Sequence, residues 1–90
     1  MKTIELKVIT REELDDILAK HKEWLLDNKT GQRADLSYND LRGFSFECAN
    51  LQEVNFECAN LYEACLRGGD LQSTNFKGAN LRKANLEQTN

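Results

Sequence analysis

The strongest constraint on this chain is a pattern that repeats every five residues from Ala34 to the end of the sequence. The middle position of each group, which we call the centre, is always Leu or Phe. The position two residues before the centre is mostly small, and Asp or Asn nearly always stands between them. The centres are Leu36, Leu41, Phe46, Leu51, Phe56, Leu61, Leu66, Leu71, Phe76, Leu81 and Leu86.

A period of five suits neither a helix nor a flat strand. A helix advances about 100° per residue, so side chains five apart drift around its surface and form no apolar stripe. In a strand, side chains five apart point to opposite faces. The pattern instead indicates a chain that turns a corner every five residues, with the centres and their small partners forming the core.

This pattern resembles the pentapeptide-repeat family, whose repeat is written A(D/N)LXX. Groups such as ANLQE at 49–53, ANLYE at 59–63 and ANLRK at 79–83 carry the resemblance, which covers about two thirds of the chain. It implies a mainly β fold, a right-handed quadrilateral β-helix of nearly three coils with about four repeats per coil. Residues twenty apart would then stack in successive coils.

Stacking at this spacing predicts columns of outward side chains, which we interpret as structural contacts between coils. Two columns follow the centres and combine charges, or charges with an aromatic ring. They are Glu47, Arg67 and Glu87, and Arg42, Tyr62 and Arg82. Three further columns stack amides. They are Gln52 over Gln72, Asn55 over Asn75, and Asn60 over Asn80.

The chain divides into an N-terminal strand and capping helix at 1–33 and the repeat region at 34–90, together one structural unit. Residues 2–9 alternate apolar and polar side chains, with Ile4, Leu6 and Val8 on one face. This alternation predicts a half-buried strand, whose partner would be the open edge of the first coil. Such a cap is expected because an uncovered coil edge invites aggregation.

Thr10 is predicted to start the helix through a capping box with Glu13, and Ile9 and Leu14 occupy the positions of a hydrophobic staple. Gly31 is available for the positive φ that follows a helix end. The apolar face of the helix comprises Leu14, Ile17, Leu18, His21, Trp24 and Leu25. We interpret His21 as a packing residue and Trp24 as the anchor that seats the cap on Leu36 and its neighbours.

Composition argues against a cofactor and against catalysis. The three cysteines, Cys48, Cys58 and Cys65, are odd in number and lie inside repeats, so we expect neither a disulfide framework nor a zinc site, with His21 the sole imidazole. The sequence has no phosphate-binding loop, and a narrow β-helix fills its interior with Leu and Phe. We therefore expect no enzymatic activity, no cofactor and no metal.

Ninety residues form one small domain with a net charge of −3. The chain has no signal-peptide-like run and no apolar segment near the roughly 20 residues of a membrane span. We therefore expect a soluble, cytoplasmic protein that does not contact the membrane.

The repeat region holds all of the net negative charge. Residues 34–53 carry −3, residues 54–73 carry −2 and residues 74–90 carry +2. The basic end is too small for a nucleic-acid footprint, so direct nucleic-acid binding is not expected. The acidic residues form the predicted partner-binding surface. They are Asp35, Asp40, Glu47, Glu53, Glu57, Glu63 and Asp70.

The resemblance implies a function for this surface, because some members of the family mimic B-form DNA in width and charge. The implied partners are DNA-binding proteins: a type II topoisomerase such as gyrase, or a bacterial defence complex such as CRISPR when the inhibitor is phage-encoded. The alternative is a structural scaffold or protein-interaction module without mimicry, which would use Tyr38 and Tyr62 as aromatic contacts. For Tyr38, packing beneath the helix is an equal alternative. The resemblance also favours a homodimer through the uncapped C-terminal coil.

Overall fold

The computed structural model describes residues 5–90. It contains strand β1 (Lys7–Val8), helix α1 (Arg11–Leu26) and strand β2 (Asn39–Asp40). β1 pairs in parallel with β2, and Lys7 lies opposite Asn39. The strand expected over residues 2–9 therefore forms only at Lys7–Val8, and it pairs with the first coil as predicted; residues 2–4 lie outside the described part.

The predicted burial of Val8 is wrong, since this side chain is 76% exposed and Ile9 is 4% exposed. Ile9 directly precedes the helix cap and belongs to the same buried cluster as Leu14. Successive side chains of an extended segment point to opposite sides, so burying Ile9 turns Val8 outward. The hydrophobic staple thus decides the orientation of this short strand.

The helix begins as the sequence predicts. The Glu13 N–H donates to Thr10 Oγ1 at 3.0 Å, and the Thr10 N–H donates to Glu13 Oε1 at 3.0 Å, which together make the capping box. The helix ends at Leu26, and Gly31 adopts a φ of 67° beyond it. Within residues 5–90 no helix is both long and apolar enough to cross a membrane.

Leu14 and His21 are the buried residues of α1. His21 packs as predicted, with 1% of its surface exposed. The prediction that Trp24 anchors the cap is wrong: it is half-buried and stacks on His21, with ring centroids 5.8 Å apart. The helix meets the repeat through Leu14, Ile17, Leu18 and His21, and Trp24 is not part of the core cluster.

The repeat region consists of coils joined by isolated parallel bridges, each between residues twenty apart. In one bridge the Leu36 N–H donates to the Asn55 carbonyl at 2.8 Å, and the Asn55 N–H donates to the Ala34 carbonyl at 3.1 Å. The bridges form four ladders, which define four columns. Column 1 is 34–38, 54–58 and 74–78; column 2 is 39–43, 59–63 and 79–83; column 3 is 44–48, 64–68 and 84–88; column 4 is 49–53 and 69–73.

The chain turns a corner every five residues as predicted, and each corner is a tight turn whose backbone conformation the period alone did not predict. In one example the Ala49 N–H donates to the carbonyl of the centre Phe46 at 3.0 Å, and Cys48 between them has a φ of 57°. Positive φ at the third residue and this bond are the marks of a type II turn. The fifth position of every group has a positive φ, and glycine stands there in only three groups, as Gly43, Gly68 and Gly78.

The Asp or Asn before each centre stabilises the same corner. Its side-chain oxygen accepts the N–H two residues later, as where Glu57 N donates to Asn55 Oδ1 at 3.0 Å and Lys77 N donates to Asn75 Oδ1 at 2.9 Å. Ser45 does the same for the N–H of Glu47 at 3.3 Å. Short polar side chains of this kind form such turns readily, which explains their place in the repeat.

The core is filled by the centres of the first seven groups, from Leu36 to Leu66, each at most 2% exposed. Leu71, Phe76 and Leu81 are half-buried, and Leu86 is 40% exposed. The prediction that all eleven centres are core residues is therefore wrong for Leu86, because no later group of the described chain stacks on it.

Candidate functional site

The seven acidic residues of the predicted binding surface do not share one face. The bridges distribute them over all four columns, with at most two in each. Asp35 and Glu57 lie in column 1, Asp40 and Glu63 in column 2, Glu47 in column 3, and Glu53 and Asp70 in column 4. A partner that contacts one side of the repeat would therefore meet only some of these carboxylates.

Two of the seven carboxylates are paired with a cation of this chain. Arg42 donates to both oxygens of Asp40, from Nε to Oδ1 and from Nη2 to Oδ2, each at 2.9 Å. These hydrogen bonds hold the pKa of Asp40 below its usual value. Arg67 Nη1 lies 3.6 Å from Glu47 Oε1, the coil-to-coil contact expected from the charge column. The positive charges of Arg42 and Arg67 therefore offset the charges of Asp40 and Glu47, so these two sites attract a cationic partner less than an unpaired carboxylate does.

Asp35 and Asp70 are fixed by neutral donors. Asp35 Oδ1 accepts from the N–H of Ser37 at 3.0 Å and from its hydroxyl at 2.6 Å. Asp70 accepts from Gln52 Nε2 at 2.6 Å and from Gln72 Nε2 at 3.0 Å. Gln52 and Gln72 lie in successive coils of column 4 as predicted, and both amides bind the Asp70 carboxylate, a stronger acceptor than another amide.

Among the described residues no cation forms an ion pair with Asp35, Glu53, Glu57, Glu63 or Asp70, which we call the unpaired acidic set. Glu53 and Glu63 are exposed, and Glu57 is half-buried. The set occupies columns 1, 2 and 4. These five residues are the part of the predicted surface that is not offset by an ion pair with a described residue.

The amide columns are partly confirmed. Asn75 Nδ2 donates to Asn55 Oδ1 at 3.2 Å, so this pair bonds from coil to coil as expected. The oxygens of Asn60 and Asn80 accept the backbone N–H groups of their own turns, from Tyr62 and Arg82, as those of Asn55 and Asn75 also do. The side-chain oxygen of each of these amides thus has a hydrogen-bond donor within its own turn, so it does not need an amide in the next coil as a partner.

Tyr38 lies in column 1 beside the unpaired acidic set. The residue is 39% exposed, and its carbonyl accepts the N–H of Lys7 at 2.9 Å. Interaction with Cys58 and the nearby charge of Glu57 raise the pKa of Tyr38. An accessible phenol and two carboxylates, Asp35 and Glu57, therefore share one column.

The predicted Arg42–Tyr62–Arg82 stack is wrong. Arg42 is bound to Asp40, and the cation over the Tyr62 ring is Lys83, whose Nζ lies 5.8 Å from the ring centroid. A two-point bond to a carboxylate is stronger than an exposed contact with a ring. The contact of Lys83 with Tyr62 could have been inferred from the sequence, because Lys83 follows Tyr62 by twenty-one residues and is thus next to Arg82, the residue directly above the ring.

A shallow groove of about 570 Å³ opens beside β1 where columns 2 and 3 meet, lined by residues including Val8, Phe44 and Tyr62. The three cysteines are free. Over residues 5–90 no three His, Cys, Asp or Glu side chains group closely enough to hold a metal ion. The arrangement offers carboxylates held by hydrogen bonds, two tyrosines and a shallow surface.

The comparisons with known proteins concern the repeat region. The family model of pentapeptide repeats matches in eight copies over residues 32–68 and 70–90. The chain is also similar to the crystal structure of a pentapeptide repeat protein from the cyanobacterium Cyanothece 51142, with 33% sequence identity and a TM-score of 0.53 over 61% of this chain. The match spans 42% of that protein's chain. A search of curated protein sequences finds no match. With a family model matching more than half of its residues and twenty-residue bridges throughout the repeat, the chain belongs to the pentapeptide-repeat family.

Proposed function

We propose that this protein is a non-catalytic binding module that inhibits a DNA-binding protein by presenting carboxylates in place of DNA phosphates. The implied targets are a type II topoisomerase such as gyrase and, for a phage-encoded inhibitor, a defence complex such as CRISPR. The observation that carries the proposal is the unpaired acidic set, five carboxylates without an ion pair among the described residues. The module would act in the cytoplasm, where such targets lie.

The proposal includes the architecture that presents these charges. We propose a right-handed, four-sided β-helix at 34–90 that forms one structural unit with the strand and capping helix at 1–33. The four ladders support four sides. The bonds from Lys7 to the Tyr38 carbonyl and from Arg11 to the Ser45 carbonyl, at 2.9 and 2.7 Å, support a continuous unit.

The charge density sets the extent of mimicry. Nearly three coils at about 4.8 Å spacing form a rod about 14 Å long. Duplex DNA carries one charge per about 1.7 Å of axis, so a matching length would carry about eight. Five unpaired carboxylates on three columns supply more than half of that number. We therefore expect competition with a short duplex element such as a recognition site.

Charge reversal tests this mechanism. Changing Glu53, Glu57 and Glu63 to Lys leaves every turn-forming Asp in place, so the fold should persist while affinity for purified gyrase falls at least about tenfold. Binding of the native protein should weaken with salt and with added duplex DNA. The measurement is fluorescence anisotropy of the labelled protein, and Glu87→Lys, in column 3, is the matched control. Binding that ignores salt, duplex and the triple change would refute mimicry.

The alternative function is a scaffold module that binds through aromatic side chains. The exposure of Tyr38, 39% of the residue's surface, favours this alternative. In the anisotropy experiment, Tyr38→Ala would then remove binding and the triple charge reversal would not. The two functions thus give opposite results with the same pair of variants.

We also propose a homodimer through residues 74–90. The 40% exposure of Leu86 and the incomplete burial of Phe76 and Leu81 support an apolar contact there. Because Lys77, Arg82 and Lys83 against Glu87 give each copy +2 in this segment, salt should strengthen the dimer. Sedimentation at micromolar concentration should show a species near twice 10.3 kDa. A 10.3 kDa species at both low and high salt would contradict the dimer.

A further inference from the structure

His21 bonds to two backbone groups of the repeat at once. Its Nδ1 accepts the N–H of Ala34 at 3.0 Å, and its Nε2 lies 2.8 Å from the carbonyl oxygen of Gln52. An N–H can only donate, so Nδ1 must be unprotonated, and Nε2 must carry the proton that Gln52 accepts. The ring is 1% exposed. The docked state therefore requires one neutral tautomer.

The equivalent backbone groups twenty residues later have backbone partners. Gln72, twenty residues after Gln52, accepts the Glu53 N–H at 3.1 Å. Val54, twenty residues after Ala34, donates its N–H to the Leu51 carbonyl at 3.0 Å. At the first coil the imidazole supplies both partners: Nδ1 accepts the Ala34 N–H, and Nε2–H donates to the Gln52 carbonyl. A peptide group likewise offers one acceptor and one donor. His21 thus substitutes for the backbone of a preceding coil.

The positively charged ring cannot make this substitution. An imidazolium has two donors and no acceptor, so its Nδ1–H would face the N–H of Ala34 and leave neither with a partner. The charged neighbours act in opposite senses, since Glu53 favours the charged ring and Arg33 disfavours it. Burial is the largest effect and lowers the pKa of His21 below its ordinary 6.5, against the opposing effect of the Gln52 bond.

We propose that His21 is an acid-sensitive latch: its protonation releases the C-terminal half of α1 and the segment 27–33 from the first coil. The N-terminal half keeps Arg11 bound to the Ser45 carbonyl and Leu14 in the core, so the opening is local. Release uncovers the Ala34 N–H and the Gln52 carbonyl. These are unpaired edge groups of the kind that accept another strand.

The direction with pH follows from the lowered pKa. The released state takes up a proton near pH 6.5 while the docked state does not, so docking is fully stabilised above that value and weakens as pH falls below it. Between pH 6.5 and the lower pKa of the docked ring, the equilibrium constant for release should rise about tenfold for each unit by which the pH falls. The chain has a single histidine, so no second imidazole contributes.

Two local probes measure the release. The single Trp24 stacks on His21, so its emission should change between pH 7.5 and 5.5, and exchange of the Ala34 amide should accelerate in step. His21→Gln supplies an amide oxygen and an NH₂ at every pH and should remove the transition in both signals. A native protein without the transition, or the same transition in His21→Gln, would overturn the latch.

A measurement on the native protein keeps the test independent of how the variant folds. Nitrogen-15 NMR of the ring at pH 7.5 should show the Nε2–H tautomer, and the His21 titration should coincide with the loss of Ala34 amide protection. The opposite tautomer, or protection that persists through the titration, would refute the proposal.

Discussion

Replacing Phe56 by alanine should lower the free energy of unfolding by about 3–5 kcal/mol. Phe56 has no exposed surface and lies between two other rings, edge-on to Phe46 at 5.6 Å and stacked on Phe76 at 5.3 Å. The change removes a large buried side chain and leaves a cavity in a narrow interior. Since domains have about 5–15 kcal/mol of stability in total, the change should remove a large fraction of it. Urea denaturation followed by circular dichroism measures the effect.

Phe56→Leu is the matched control, because leucine occupies the centre of most other groups. It should cost roughly half as much or less, since leucine fills most of the space. Phe76→Ala should also cost less than Phe56→Ala, because Phe76 is only half-buried. Equal losses at Phe56 and Phe76 would contradict a core that is most tightly packed in the first two coils.

Gly31→Ala should destabilise the cap by at least about 2 kcal/mol. Gly31 has a φ of 67°, where an L side chain costs roughly 1–2 kcal/mol. A Cβ would in addition meet the Lys20 carbonyl oxygen and lie 2.7 Å from the Trp24 backbone nitrogen, so α1 or the segment after it would have to shift. Trp24 fluorescence and thermal unfolding report this change.

Gly43→Ala separates the two contributions to this cost. Gly43 has a φ of 73°, but a Cβ there would meet nothing within 4 Å. Only the backbone preference is then lost, partly offset by the lower entropy of the unfolded chain, and the expected cost is about 1 kcal/mol or less. If both variants lose the same stability, the close approach of Gly31 to α1 contributes nothing.

The proposed latch and the proposed surface share one residue, Glu53, whose charge acts on His21, and otherwise use different parts of the molecule. His21 acts at the start of the first coil, whereas the carboxylates of Glu57 and Glu63 lie in the second. Charge reversal in the second coil should therefore leave the pH transition of Trp24 in place. His21→Gln should likewise leave binding at pH 7.5 unchanged, so failure of one proposal does not decide the other.

Much of this architecture was predictable because the repeat is local and regular. The period of five identifies the centres, and the spacing of twenty that the family resemblance implies leads to Glu47 beside Arg67 and Asn55 beside Asn75. The capping box of Thr10 was equally accessible, since it depends on two residues three apart. The acidic surface was predicted as a set of residues, but not as charges divided among four columns.

What the sequence by itself determined is the repeat, its core and the start of the helix, because each follows from near neighbours or a constant spacing. The tertiary structure decided where several side chains compete for one partner. Arg42 binds Asp40 rather than Tyr62, and both Gln52 and Gln72 bind Asp70, because carboxylates are the stronger acceptors. It also decided the role of His21, since the backbone groups of Ala34 and Gln52 meet that ring only when the first coil closes beneath the helix.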